Sequence, residues 1–387
     1  MTTPEGFAAK LAGVATCSEA AIAQAKGRTA TGDGAVEQGS PSCPEASKVG
    51  TTTIGAGAGS QPFYVKGSVY LAGPYKGAPV SLAFIVPAVA GPFDLGVQVV
   101  RAAVNVDPKT AQITTVSDAI PQILRGVPLR LRDIRVDVDR PGFALNPTDC
   151  SEAAVSGKVY GASGAVTDVS NRFQVAECAR LGFKPKLTLR LKGGTKRTKY
   201  QGLTAIVTPR PGDANIASTS VTMPRSAFLA QEHIRTVCTR VQWAQDNCPK
   251  ASIYGKATAW TPLLDEPLSG SVYLRSSDNK LPDLVTDLRG PAHQPIRVEL
   301  SGRTDSFKRA LRNTFDIVPD ATVSRFKLEL FGGKKGLIVN SQDLCRKKHF
   351  ATVKMTGQNG RRHNFRPVVK NGCGKKKSKR AKSTKRR

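Results

Sequence analysis

Aromatic side chains make up only 6 % of the 387 residues, with Trp 2, Tyr 7 and Phe 14. A core must therefore be assembled from aliphatic and small residues, which bury less area each. Histidine is scarcer: His233, His293, His349 and His363 are the four present, and none precedes residue 233. That excludes a histidine-dependent site common to both halves of the chain. No HExxH, CxxC or GxSxG occurs, so zincin, zinc-ribbon and α/β-hydrolase signatures are missing. The glycine run Gly55–Ser60 lacks the GK[ST] ending of a phosphate-binding loop. Long apolar runs are missing too. The longest, APVSLAFIVPAVAGPF, is cut by Pro79, Pro87 and Pro92 and then meets Asp94, which fits buried strands and not a membrane helix.

Acid is missing from one place in particular. The tail GKKKSKRAKSTKRR (374–387) holds nine basic residues and no carboxylate side chain. It has too little apolar surface to fold and is expected to be disordered. Residues 1–178 hold 15 basic and 15 acidic side chains, whereas the remaining 209 hold 43 and 14. The whole net charge of +29 thus lies after residue 178.

Short runs of Val, Ile, Leu and Thr, broken by Gly 36 and Pro 25, point to a mainly β chain. Helical patterning is short, near Ser18–Gln24 and across Ser226–Cys238, so short helices are expected near Cys17 and Cys238. GSVYL occurs twice, at Gly67–Leu71 and Gly270–Leu274. Upstream of each copy stands C-P-x-A-S-x-x-G, at Cys43–Gly50 and Cys248–Gly255. TTPEGF faces TMPRSAF, and GFALNPTDC faces GLIVNSQDLC. These matches predict two tandem β-sandwich-like modules, 1–178 and 179–373, followed by the tail 374–387.

Eight cysteines fall into four local pairs with no metal-ligand spacing. They suit disulfides between neighbours, Cys17–Cys43, Cys150–Cys178, Cys238–Cys248 and Cys345–Cys373. When the first loop shrinks in the second copy, both of its cysteines survive, as bonded partners do. The competing reading is eight free thiols. Disulfides imply export, to the cell surface or beyond.

The second copy opens with residues the first lacks, 179–221, either an insert or the module's own leading strands. The second reading is preferred and makes the chain an N-terminally truncated one. The start MTTPEGFAAKLAGVATC, without a basic n-region or an h-region of secretory length, then fits a leader lost upstream. Within 183–208 a hairpin is expected, with Phe183, Leu187, Leu189 and Leu191 inward and Lys184, Lys186, Arg190 and Lys192 outward. Together with Lys196, Arg197, Lys199 and the tail's Lys375, Lys376 and Lys377, they form a candidate polyanion-binding set. Few aromatics interleave them, which disfavours base stacking. Asp133, Asp137 and Asp139 alternate with Arg132, Arg135 and Arg140, a charge-balanced solvated strand and not a calcium site.

The stretches VYLAGPYKGAPVSLAFIVPAVAGPFDLG, RPGFALNPTDC, LGFKPKLTLRLKGGTKR, RPGDANI, LLDEPLSGSVYLRSS, KLPDLVTDL and KKGLIVNSQDLC resemble an uncharacterised family of large exported actinobacterial β-rich proteins, often ending in a basic tail. The resemblance implies export and implies no activity. The expected function is a non-enzymatic exported or cell-surface structural or adhesion protein, associated with acidic envelope polymers and without cofactor or metal. The alternatives are an extracellular polyanion- or nucleic-acid-binding module, and a secreted hydrolase with its site in the second module.

Overall fold

The computed structural model describes residues 1–58 and 60–373. The tail 374–387, expected to be disordered, lies outside the described residues. The chain is mainly β. In the first half, Lys48–Ala56, Phe63–Ala72, Val80–Ala90, Phe93–Val106 and Ile113–Ser117 run antiparallel in sequence, and Leu131–Asp137 returns to the free side of Lys48–Ala56. In the second half, Ile253–Trp260, Leu268–Arg275, Asp283–Arg289, Arg297–Phe307, Ala310–Phe315 and Arg325–Leu330 pair in the same order.

The match extends to local detail. Pro44 and Pro249 each precede a single 3-10 turn, and the Ser47 and Ser252 hydroxyls donate to their carbonyls at 2.7 and 2.6 Å. A bulge follows in each first strand, between Lys48 and Gly50 and between Ile253 and Gly255. The shared C-P-x-A-S-x-x-G is thus a turn-and-bulge entry into a sheet.

Residues 179–221 supply strands of the second sheet. Tyr200–Thr208 pairs with the outer edge of Arg325–Leu330, and Lys186–Lys192 pairs with Tyr200–Thr208. Ile216–Thr222 lies between Ala310–Phe315 and Thr352–Gly357. In the first half the corresponding position is held by Thr2 alone, which bridges Thr114 and Ser156.

All four cysteine pairs are disulfides, with Cα atoms 5.2 to 5.5 Å apart. Ser18 caps the helix Glu19–Gly27, and Thr239 caps Arg240–Ala244 through a reciprocal bond with Gln242. The helical pattern read across Ser226–Cys238 is not a helix. Ala227–Leu229 pairs with Ile338–Asn340, and only Gln231–His233 coils, as one 3-10 turn. Strand pairing overrides the weak local preference, and the helix waits for the Thr239 cap.

In the GSVYL copies, Val69, Leu71, Val272 and Leu274 all enter one core. That core also takes Val49, Val80 and Phe143 from the first half and Ala257, Leu284, Leu288 and Leu328 from the second. Each sheet has one apolar face, and each face is covered by residues of the other half. Full burial of each such aliphatic side chain contributes roughly 1.5–3 kcal/mol. Tyr70 points the other way, into a smaller cluster with Cys17, Ile22, Ala25 and Cys43. Tyr273 does the same and meets the Trp243 ring edge-on at 5.6 Å.

Candidate polyanion-binding face

Alternation in Lys186–Lys192 buries Leu187, Leu189 and Leu191 and leaves Lys186, Arg190 and Lys192 exposed. Phe183 is buried and Lys184 exposed in the lead-in. The inward leucines share a core with Val353, Met355 and Val369, so the hairpin is held by packing on its apolar side. The outward row is therefore fixed by the pleat.

Pairing sets further cations beside this row. Arg190 lies opposite Thr204, Thr204 opposite Glu329, and Glu329 opposite Lys256. One step along, Ile206, Lys327 and Thr258 stand in line, and Arg325 faces Trp260. Lys186, Arg190, Lys192, Arg325, Lys327 and Lys256 thus share one sheet face across four adjacent strands. The single acid in that row set is Glu329. Lys327 Nζ stands 2.8 Å from it and Lys192 Nζ 3.7 Å. The Lys327 hydrogen bond, with the fields of Lys192 and Lys256, holds its carboxyl below the usual range. Among the described residues, Lys186, Arg190, Lys256 and Arg325 have no carboxylate partner, although Arg325 lies 5.0 Å from the centroid of the Trp260 ring.

At one end of the row, Lys184, Lys186, Arg210 and His363 line a shallow hollow with Phe365 and Pro367. Lys196, Arg197 and Lys199 lie in the connecting loop and not in the strand rows. Asn340 pins that loop by donating to the carbonyls of Gly194 and Lys196 at 2.9 and 3.0 Å. Lys375, Lys376 and Lys377 lie outside the described residues. Sequence reading missed Lys256, Arg325, Lys327 and Arg210. Alternation in RFKLEL signals the outward pair Arg325 and Lys327, but not which strand stands beside it.

The histidines are dispersed. His233 stacks on Tyr200 at 4.0 Å, with Nδ1 2.8 Å from the Gly336 carbonyl. His363 stacks on Phe365 at 4.7 Å, and His293 is exposed. His349 Nδ1 lies 2.9 Å from Ser226 Oγ. That pair resembles a nucleophile and its base, but both residues are buried, at 6 % and 2 % exposure. Asp133 pairs with Arg135 at 2.8 Å on an exposed strand. Among the described residues no group of three or more His, Cys, Asp or Glu is placed to hold a metal ion, and no helix is long and apolar enough to cross a membrane.

No protein-family model matches the chain, and neither the curated proteins nor the solved structures contain a match.

Proposed function

We propose that the protein is a non-enzymatic exported or cell-surface structural or adhesion protein, built from two tandem copies of one β module and held to acidic envelope polymers by charge. The observation that carries this reading is the part of the second sheet's outer face spanned by Lys186–Lys192, Tyr200–Thr208, Arg325–Leu330 and Ile253–Trp260, where six cations from three of the four strands surround one acid, Glu329. A flat array of this kind suits an extended polyanion better than a small ligand, because it offers many weak charge contacts and no enclosing walls. The four disulfides support an oxidising destination. So does the resemblance to exported actinobacterial proteins. What the halves have in common is strand order, turns and disulfides, which supports a scaffold role over catalysis. Nucleic acid is the less supported partner, since few aromatic rings, Trp260 and Tyr200, lie on this face of the four strands and stacking needs several.

The test is retention of the full chain on immobilised heparin as salt is raised. Replacing Lys186, Arg190, Lys192, Lys256, Arg325 and Lys327 by Gln is expected to lower the eluting salt and flatten the salt dependence with the tail still present. Elution unchanged from the parent chain overturns the assignment of this face.

A further inference from the structure

The strand Leu131–Asp137 pairs on one side only, with Lys48–Ala56. Its other edge has no partner among the described residues. The strand in the same place in the second half, Arg325–Leu330, pairs on both sides. The bulges at Gly50 and Gly255 set the equivalence: Thr51 faces Asp137 as Lys256 faces Glu329. Ile134, Val136 and Val138 therefore correspond to Phe326, Leu328 and Leu330.

The two sets differ in what covers them. Phe326, Leu328 and Leu330 lie against Val207, Ala205 and Leu203 of the hairpin, and Leu328 is 7 % exposed. Ile134, Val136 and Val138 are 43 %, 44 % and 43 % exposed. A fourth position behaves alike. Thr2 faces Ser156 as Thr222 faces Thr352, so Val159 corresponds to Met355. Met355 is 1 % exposed beneath Leu187, Leu189 and Leu191, whereas Val159 is 57 % exposed. The first half thus keeps the floor of a packed core whose covering hairpin is absent from the described residues.

Charge repeats the pattern. Glu329 receives Lys192 from the outer strand of the hairpin at 3.7 Å. Its counterpart Asp137 has no cation within ion-pair distance among the described residues. A protected edge strand aims a charge inward or carries proline. Here Asp133, Arg135 and Asp137 point outward; past the bulge opposite Gly55 and Ala56, where Arg132 interrupts the alternation, the inward row Ile134, Val136 and Val138 is apolar.

We propose that Leu131–Asp137 is an acceptor edge for a β-hairpin of the same chemistry as 183–208, with Leu or Val alternating on its inner face and a lysine set to reach Asp137. Main-chain hydrogen bonds supply the pairing, and Ile134, Val136, Val138 and Val159 supply the apolar seat. A second copy of this chain is a poorer donor, because its own hairpin is engaged with Arg325–Leu330.

The probe is a synthetic peptide of residues 183–209, added to the full disulfide-bonded chain. Calorimetry is expected to show saturable 1:1 binding, and hydrogen exchange to slow at residues 131–138 and not at 325–330. Val136→Asp is expected to weaken binding at least tenfold. Asp137→Lys, on the exposed outward row, is expected to weaken it severalfold and to recover with a Lys192→Glu peptide, a reversal that general misfolding cannot give. No binding overturns the proposal. So does protection at 325–330, which marks exchange of the chain's own hairpin, or protection of 131–138 in the peptide-free protein through pairing of two copies.

Discussion

Asp320 of the second half accepts the Thr148 hydroxyl of the first at 2.6 Å. The same carboxylate accepts the Thr148 and Asp149 amides at 2.7 and 3.2 Å and the Asn215 side-chain amide at 2.8 Å. Gly6 packs so closely that a Cβ there would fall 2.4 Å from Asp320 Oδ2, at a φ of +83°. Four donors from two segments thus converge on one buried acid. Asp320→Ala strands them together, and hydrogen bonds to a charged group contribute about 1.5–3 kcal/mol each, non-additively. A loss of about 3 kcal/mol or more is expected in denaturant titration. A loss under about 1 kcal/mol would show that water replaces the carboxylate.

Gly50 and Gly255 stand at matching bulges. A Cβ on either would fall 2.1 Å from the Asp137 carbonyl oxygen or 2.2 Å from that of Glu329. Both contacts are to backbone, which moves only with its strand. Gly50→Ala and Gly255→Ala are each expected to lower stability by about 1–3 kcal/mol, as overpacking does. The control is Gly73→Ala, where φ is ordinary and the space is open. If all three variants cost the same, close approach is not the cause.

His349 makes stability depend on pH. Burial, helped by the nearby Lys347, holds its imidazole below the ordinary histidine value, and its buried Nε2 has no partner among the described residues. The unfolded chain then binds the extra proton more readily than the folded one. Its contribution is complete above about pH 6.5, the unfolded value, and is lost as pH falls from there through the folded value. Guanidinium midpoints measured at pH 8, 6.5 and 5 are expected to fall in that order, and His349→Gln to flatten the fall. A slope unchanged in the variant would assign the effect to carboxylates elsewhere.

The disulfides should differ by loop length. Cys238–Cys248 closes a separation of 10, and Cys345–Cys373 one of 28. Loop-closure entropy gives about 2.7 kcal/mol for the first and about 3.6 kcal/mol for the second. Paired Cys→Ser replacement, read by thermal unfolding, is expected to preserve that order. Reversal would mean that native packing around the bridge outweighs chain entropy.

Much of the fold was legible because its signals are local. Period-two alternation placed Leu187, Leu189 and Leu191 inward, and the pattern near Ser18–Gln24 announced a helix that the chain then makes. The matched C-P-x-A-S-x-x-G placed equivalent turns at Pro44 and Pro249. The helix Asp33–Gly39 was not legible, because its first turn is satisfied from far away: Asp94 accepts the Gly34 and Ala35 amides at 3.1 and 2.9 Å. Half of the candidate face was hidden for the same reason. Arg325, Lys327 and Lys256 join Lys186 and Arg190 only through strand pairing across more than 60 residues.

The chain by itself therefore determined its β character, its cysteine partners and the sign of its charge. Each of these rests on composition, on period or on spacing within about 30 residues. Tertiary structure alone decided that the two halves bury one common core, that six cations share a face, and that one edge strand is covered in the second half and open in the first. A strand's sequence states which side is apolar and not which strand lies beside it, since any complementary pleated edge satisfies the same backbone hydrogen bonds.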